Sequence, residues 1–226
     1  GLPLRFAPHI PDQAFFFLDK GAKSVDIFDK NKLAIYYFYL RKWIIEKLNL
    51  YYPPIPMENS FIKSVINLVD PRDDREKLVV EYWKKICLYY GTWDFFELFL
   101  CFEDCYCQNE VTDICNLKKR LKSFSFDYYD IDITKDIDID KKYDIIYTSN
   151  ISEWIYMNNG DYEKYINNLY KTLKDDGLII SSHLYNSQLT SKEEEKFSEL
   201  FKLVELPKFI TSDNNLKSLG YVMVKK

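Results

Sequence analysis

Two rhythms of apolar residues run along the chain. Between Ala14 and Leu18, Lys30 and Leu48, Leu78 and Tyr90, Trp93 and Cys107, Val111 and Leu121, and Tyr162 and Leu173 the apolar positions recur every three to four residues, which predicts helices. Short runs rich in β-branched and aromatic residues predict strands at Leu2 to His9, Ser24 to Phe28, Phe124 to Ile133, Tyr143 to Tyr147 and Leu178 to Leu184. Val204 to Ile210 and Leu219 to Val224 are expected to close the chain as two antiparallel strands across Asp213-Asn214-Asn215. Punctuation agrees with the rhythm. Gly21 is placed to end the first helix, Tyr51-Tyr52-Pro53-Pro54 the second, and Asp175-Asp176-Gly177 the one beginning at Tyr162, while Asn159-Gly160 reads as a turn. Ser191 to Glu194 matches a capping box.

The resulting order is βαβα, a helical stretch, βαβ, a further helix and a closing hairpin. Strands alternating with helices favour a parallel sheet with right-handed crossovers, so the expected fold is α/β, a doubly wound Rossmann-like sheet, mostly parallel with a C-terminal antiparallel hairpin. About seventy residues separate the second helix from the third strand, far beyond the usual βα connection, so 51–123 is expected to be a helical insertion within a single domain spanning 1–226. The Lys30 to Leu48 helix is apolar around most of its circumference, with Arg41, Lys42, Glu46 and Lys47 assigned to the wet side. In an open α/β sheet, ligands bind beyond the carboxyl ends of the strands. The site is therefore sought at Asp29, which follows the second strand, and at Thr148-Ser149-Asn150, where the Tyr143 strand meets small polar residues.

Composition narrows the partners. A net charge of −4 offers polyphosphate no general attraction, so nucleic acid is not expected, although a local basic patch stays open. No apolar run is long enough to span a bilayer, and even Ala34 to Ile45 is broken by Arg41 and Lys42. No signal-peptide pattern is seen, and a cytoplasmic location is the expectation. The five cysteines, Cys87, Cys101, Cys105, Cys107 and Cys115, lack paired C-x-x-C spacing and read as reduced thiols in helices, with no metal site expected. Asp136, Asp138 and Asp140 alternate with isoleucine, a pattern that fits a solvated loop better than a cation site.

Leu169 to Leu184 resembles the helix and strand that follow the fourth strand of Rossmann-like S-adenosylmethionine-dependent transferases, and Tyr143 to Ile151 resembles that fourth strand. Within this superfamily, Asp12-Gln13, Gly21 to Val25, Phe28 to Asn31 and Glu81-Tyr82-Trp83 resemble the aminocarboxypropyl transferase branch linked to betaine-lipid synthesis. The resemblance implies S-adenosylmethionine as cofactor, held at the carboxyl ends of the first four strands. Asp12 and Gln13 would belong to the first turn, Asp29 would hold the ribose hydroxyls, Asn31 would support that turn, Asp132 would lie near the adenine, and Ser149 and Asn150 would edge the sulfonium. Trp154, His183 and Tyr185 are the candidates for the acceptor side, and no catalytic residue is assigned. The first turn departs from the family: His9-Ile10-Pro11-Asp12 stands where a glycine lets backbone amides approach the cofactor.

Each candidate has a plainer role. Asp29 is also a turn former that caps the next helix, Asn150 suits a turn, and a lone His183 without a carboxylate partner is more often structural than a general base. Trp83 and Trp93 fit a helical core as well as an acceptor pocket. The functional expectation is a transferase moving a methyl or 3-amino-3-carboxypropyl group to a small molecule or lipid headgroup. Its alternative is a degenerate methyltransferase-like fold acting as a binding or scaffold module. A nicotinamide-dependent oxidoreductase ranks last, because the glycine fingerprint is missing.

Overall fold

The computed structural model describes residues 10–49, 59–89, 114–124, 126–148, 151, 155, 158–183, 195–204 and 219–226. It divides into two compact units, Gly1–Asp130 and Ile131–Lys226. Predicted elements at Leu2 to His9 and Trp93 to Cys107, the capping box at Ser191, and the portion of the Val204 strand beyond that residue lie outside the described residues.

The first unit is built around a helix that is buried nearly all round. Helix α1 (Ile10–Asp19) buries Ala14, Phe15 and Leu18. Pro11 sits in its first turn, where the missing amide costs no helical bond. Its end is a Schellman motif: Gly21, at φ 100°, donates to the Leu18 carbonyl at 3.1 Å and Ala22 to that of Phe17 at 2.9 Å. Strand β1 (Ile27–Phe28) follows, much shorter than the run read from Ser24. Helix α2 (Lys32–Leu48) starts from an Asn31 cap and stops at Asn49, whose left-handed φ of 57° ends it before the Tyr51-Tyr52-Pro53-Pro54 signal is reached.

Along α2, Phe38 to Ile45 are all buried, Arg41 and Lys42 included, which corrects the expectation that these two cations face water. Helices α3 (Asn59–Asn67) and α4 (Asp74–Tyr89) pack on each other and on α2, as does α5 (Ile114–Ser123), which also packs on α1. Aromatic rings fill the centre: Phe38 stacks on Phe15 at 5.2 Å and meets Phe126 edge-on at 4.7 Å. Strand β2 (Tyr128–Tyr129) pairs parallel to β1, Ile27 opposite Tyr128 and Phe28 opposite Tyr129. Its two residues replace the longer strand expected over Phe124 to Ile133. Free Cys87 in α4 is buried and free Cys115 in α5 is exposed, both in helices as expected.

The second unit holds a four-stranded sheet in the order β3-β4-β6-β5. Strand β3 (Tyr143–Thr148) leads through helix α6 (Tyr162–Thr172) into β4 (Leu173–His183), which pairs parallel to it. Strand β6 (Leu219–Lys225) is inserted antiparallel between β4 and β5 (Phe201–Val204). The penultimate strand thus occupies Phe201–Val204, earlier than the Val204 start expected. The α/β class is the one observed, with parallel pairs β1-β2 and β3-β4 in two separate sheets and the closing antiparallel pair in the second.

Helix α6 ends at Thr172, before Asp175-Asp176-Gly177, and those residues form an irregularity inside β4, whose register to β3 jumps from Leu173 to Leu178. Gly177 is needed there, since an added Cβ would lie 2.7 Å from the Leu173 side chain and 2.9 Å from the Lys174 carbonyl. Helix α6 covers one face of the sheet, its Tyr170 meeting Phe201 at 5.7 Å and the Lys225 ammonium at 4.4 Å. That face carries Ile146, Thr148, Ile179, Ser181 and Met223, all buried. Asn168, on the same helix, donates from Nδ2 to the Ile133 and Lys135 carbonyls, each at 2.7 Å, and so fixes the segment entering the unit. The Asn159-Gly160 turn is present, with Asn159 at φ 51°. Asp136, Asp138 and Asp140 lie in a loop, Asp136 pairing with Lys164 at 2.6 Å. Among the described residues no helix is long and apolar enough to cross a membrane, and no group of three or more His, Cys, Asp or Glu is placed to hold a metal ion.

Candidate functional site

In the first unit the carboxyl ends of β1 and β2 bring polar groups together. The backbone N–H of Asp29 continues the parallel ladder by donating to the Tyr129 carbonyl at 3.2 Å, so the Asp29 side chain leaves the sheet where its strand stops. Its Oδ1 accepts the backbone N–H of Asn31 at 2.7 Å, and the Asn31 Oδ1 accepts that of Leu33 at 3.0 Å, opening α2. This is the turn-forming role foreseen for Asp29, and it uses one carboxylate oxygen. Among the described residues Oδ2 of Asp29 and Nδ2 of Asn31 make no bond, so an acceptor and a donor stand free on one turn.

Burial pushes the Asp29 carboxyl up to about 6, and the nearby Asp130 charge acts the same way; the Asn31 amide and Lys30 only partly oppose them. A desolvated carboxylate with an unused oxygen gains more from two donor hydroxyls than an exposed one does. Tyr128 anchors the turn from the neighbouring strand, its hydroxyl donating to the Asp29 carbonyl at 2.9 Å. Burial, with Asp29 and Asp130 adding to it, raises the Tyr128 phenol far above its usual range and keeps it a neutral donor. Asp130 pairs with Lys32 at 3.5 Å. Neither Tyr128 nor Asp130 was singled out in the sequence; the signal available was their place at the end of the strand expected to neighbour β1.

The other residues expected in the site are placed as follows. Asp12 and Gln13 lie on α1; Gln13 is half-buried and already engaged by another residue, and the Asp12 side chain is outside the description. Asp132 belongs to the second unit, where its Oδ1 accepts the Thr134 backbone N–H at 3.1 Å and hydroxyl at 2.6 Å, a turn-forming role. His183 is the last residue of β4, its side chain outside the description. Ser149, Asn150, Trp154 and Tyr185 lie outside the described residues.

At the carboxyl ends of β3 and β4, Thr148 and Ser181 are register partners, both at 0% exposure, and neither hydroxyl has a hydrogen-bond partner among the described residues. A buried hydroxyl left unpaired costs about 1–3 kcal/mol. Thr148→Val, which keeps the side-chain shape, is therefore expected to stabilise the chain by about 1 kcal/mol in urea unfolding. Destabilisation instead would show that an ordered water already satisfies the hydroxyl.

No protein-family model matches the chain. No curated protein matches it either. Among solved structures, the N-methyltransferase NodS from Bradyrhizobium japonicum WM9, in complex with S-adenosyl-L-homocysteine, is similar at 15% identity and a TM-score of 0.39, over 50% of this chain and 61% of that one. The chain thus spans less than two thirds of NodS. A SAM-dependent O-methyltransferase from Thermotoga maritima gives 15% identity and a TM-score of 0.30, over 81% of this chain and 71% of that one. Likenesses this distant say nothing of cofactor or acceptor, which have to be argued from the residues of this chain.

Proposed function

We propose that the protein is an S-adenosylmethionine-dependent transferase of the cytoplasm, moving a methyl or 3-amino-3-carboxypropyl group to a small molecule or lipid headgroup. The observation that carries this is the desolvated Asp29 carboxylate at the end of β1, with Oδ2 unused beside the unused Nδ2 of Asn31. Two ribose hydroxyls match this pair: one donates to Oδ2, and the other accepts from Nδ2. When bound, the cofactor supplies an electrophilic carbon attached to a sulfonium, and the acceptor's lone pair displaces the thioether. The chain's share of the chemistry is then to orient the two reactants and keep water away, which calls for no nucleophilic side chain.

A second reading, a scaffold of the same fold without cofactor, is favoured by one observation. Ile10 and Pro11 form the first turn of α1, so the position where the family offers a glycine amide has neither the glycine nor the donor.

Calorimetric titration with S-adenosylmethionine separates the two. Binding is expected, and Asp29→Asn, whose Oδ1 can still accept the Asn31 N–H, should weaken it about ten- to a hundredfold, the effect of losing a hydrogen bond to a charged group. The pH dependence has a definite sign. The folded-state pKa of about 6 lies above the ordinary 3.8, so the stability linked to protonated Asp29 is full below about 3.8 and lost as pH rises through about 6. Asp29→Asn should therefore be more stable than wild type at neutral pH while binding less cofactor, and wild-type affinity should fall as pH drops through about 6. No heat at millimolar ligand would leave the scaffold reading in place.

A further inference from the structure

We propose that the outward face of α5 docks the protein onto an anionic membrane surface. Its ten residues include four cations within five positions, Lys118, Lys119, Arg120 and Lys122, and no acid. Leu117 and Leu121 are fully buried and fix the helix's rotation, and at 100° per residue Lys119 and Lys122 fall on the opposite side, with exposed Cys115, while half-buried Lys118 and Arg120 flank them.

None of the four α5 cations forms an ion pair with a described residue, whereas Lys77, Lys84, Lys174 and Lys225 elsewhere each meet a carboxylate. Lys118 instead donates to the neutral Oδ1 of Asn49 at 2.6 Å. That contact ties α5 to the end of α2, whose last turn adds the exposed Lys47. Cations in the last turn, here Arg120 and Lys122, complement the helix dipole, but Lys118 and Lys119 lie before it.

Charge complementarity selects the partner. In a chain of net charge −4, screening confines attraction to charges within roughly 10 Å of a surface, so a face of unpaired cations is attracted although the whole molecule is acidic. Clusters of four or more Lys and Arg on an amphipathic helix are the pattern that anionic lipids attract. Because the apolar face of α5 is already buried, the contact is electrostatic adsorption without insertion. A single strand of nucleic acid calls for aromatic platforms between the cations, and α5 carries no aromatic residue. The docking stands apart from the cofactor site and requires no ligand there.

Flotation of the full chain with vesicles tests it, using phosphatidylcholine alone and phosphatidylcholine with roughly a third phosphatidylglycerol. Co-flotation is expected only with the anionic vesicles, and high salt should release the protein. The triple variant Lys118→Gln/Lys119→Gln/Lys122→Gln should lower the partition coefficient about a hundredfold, with an unchanged thermal melt. Lys84→Gln/Lys85→Gln on α4 should float as wild type does. Absence of flotation with anionic vesicles, or a triple variant that floats like wild type, overturns the proposal. So does wild type that ignores vesicles yet binds a short DNA duplex through the same lysines.

Discussion

Glu76→Ala is expected to lower stability by about 3–5 kcal/mol in urea unfolding, because it leaves a buried ammonium with only the more distant Glu46, at 3.9 Å, as counter-charge. The Glu76 carboxylate, 3% exposed, accepts from Lys42 at 3.3 Å and from the Arg72 side chain at 2.6 Å, and Lys42 is itself only 2% exposed. The Arg72 backbone N–H adds a bond at 3.0 Å. Burial pushes the Glu76 carboxyl up, yet the Arg72 hydrogen bonds and the charges of Lys42 and Arg72 outweigh it and hold the group at about 2. On Lys42 burial wins: its pKa is lowered, with Glu46 and Glu76 only partly restoring it. The two directions agree on what the deletion does, since removing Glu76 takes away part of what keeps Lys42 charged.

Arg72, with half its side chain exposed, can turn to water, but Lys42 cannot. Lys42→Met/Glu76→Leu should accordingly recover most of the loss, as replacement of a whole buried pair often does. The sign with pH is fixed by a folded-state value below the unfolded one. The stability that Glu76 contributes is present above about 4.5 and lost as pH falls through about 2, so the wild-type and Glu76→Ala curves should converge in acid. A single variant within about 1 kcal/mol of wild type at neutral pH would refute the role given to the pair.

This cluster also marks where sequence reading failed, and why. Periodicity located α1, α2, α4, α5 and α6 because an apolar stripe is a local property of the chain. It put Arg41 and Lys42 in water for the same reason: a charge on a helix is solvated unless a buried partner meets it, and the carboxylate that hydrogen-bonds Lys42 lies 34 residues away on α4, whereas its local neighbour Glu46 stays at 3.9 Å. The strands were legible where several residues pair in register, as in β3 and β4, and overextended where pairing is brief. Ile27–Phe28 and Tyr128–Tyr129 make only two ladder pairs, and Asp132 then turns the chain with Thr134, so β-forming residues on either side add nothing to the sheet. The boundary of α6 was misplaced because Asp175-Asp176-Gly177 reads as a helix stop, although the chain is already extended at Leu173.

At the candidate site, Asp29 was legible from its place just after the second strand, and it stands at the strand end as expected. The support from Tyr128 and the neighbouring Asp130 come from the parallel partner strand about a hundred residues away, which no local window contains. The motif Glu81-Tyr82-Trp83 has a structural explanation instead: Glu81 pairs with Lys84 at 2.9 Å, Tyr82 stacks against Tyr36 at 4.5 Å, and Trp83 is buried. Residues that pack α4 on α2 do not point to the aminocarboxypropyl branch, and the choice of transferred group falls to the reaction product: S-adenosylhomocysteine for a methyl group, methylthioadenosine for the larger one.

Trp83 gives the second large expected effect. It is 1% exposed, its indole N–H donates to the Tyr36 carbonyl at 3.0 Å, and its ring meets that of Tyr82 edge-on at 5.3 Å. Truncation removes a large buried surface and opens a cavity between α4 and α2 that neighbouring helices fill only in part, so Trp83→Ala should cost about 3–5 kcal/mol. Trp83→Phe keeps most of the ring volume and loses one hydrogen bond; a loss of about 1–2 kcal/mol is expected, because the Tyr36 carbonyl still has its place in α2. The Phe variant also separates packing from ligand contact. If Trp83 is core, the S-adenosylmethionine titration of Trp83→Phe should superimpose on that of wild type. A change in affinity without a matching loss of stability would move Trp83 to the wall of a binding site.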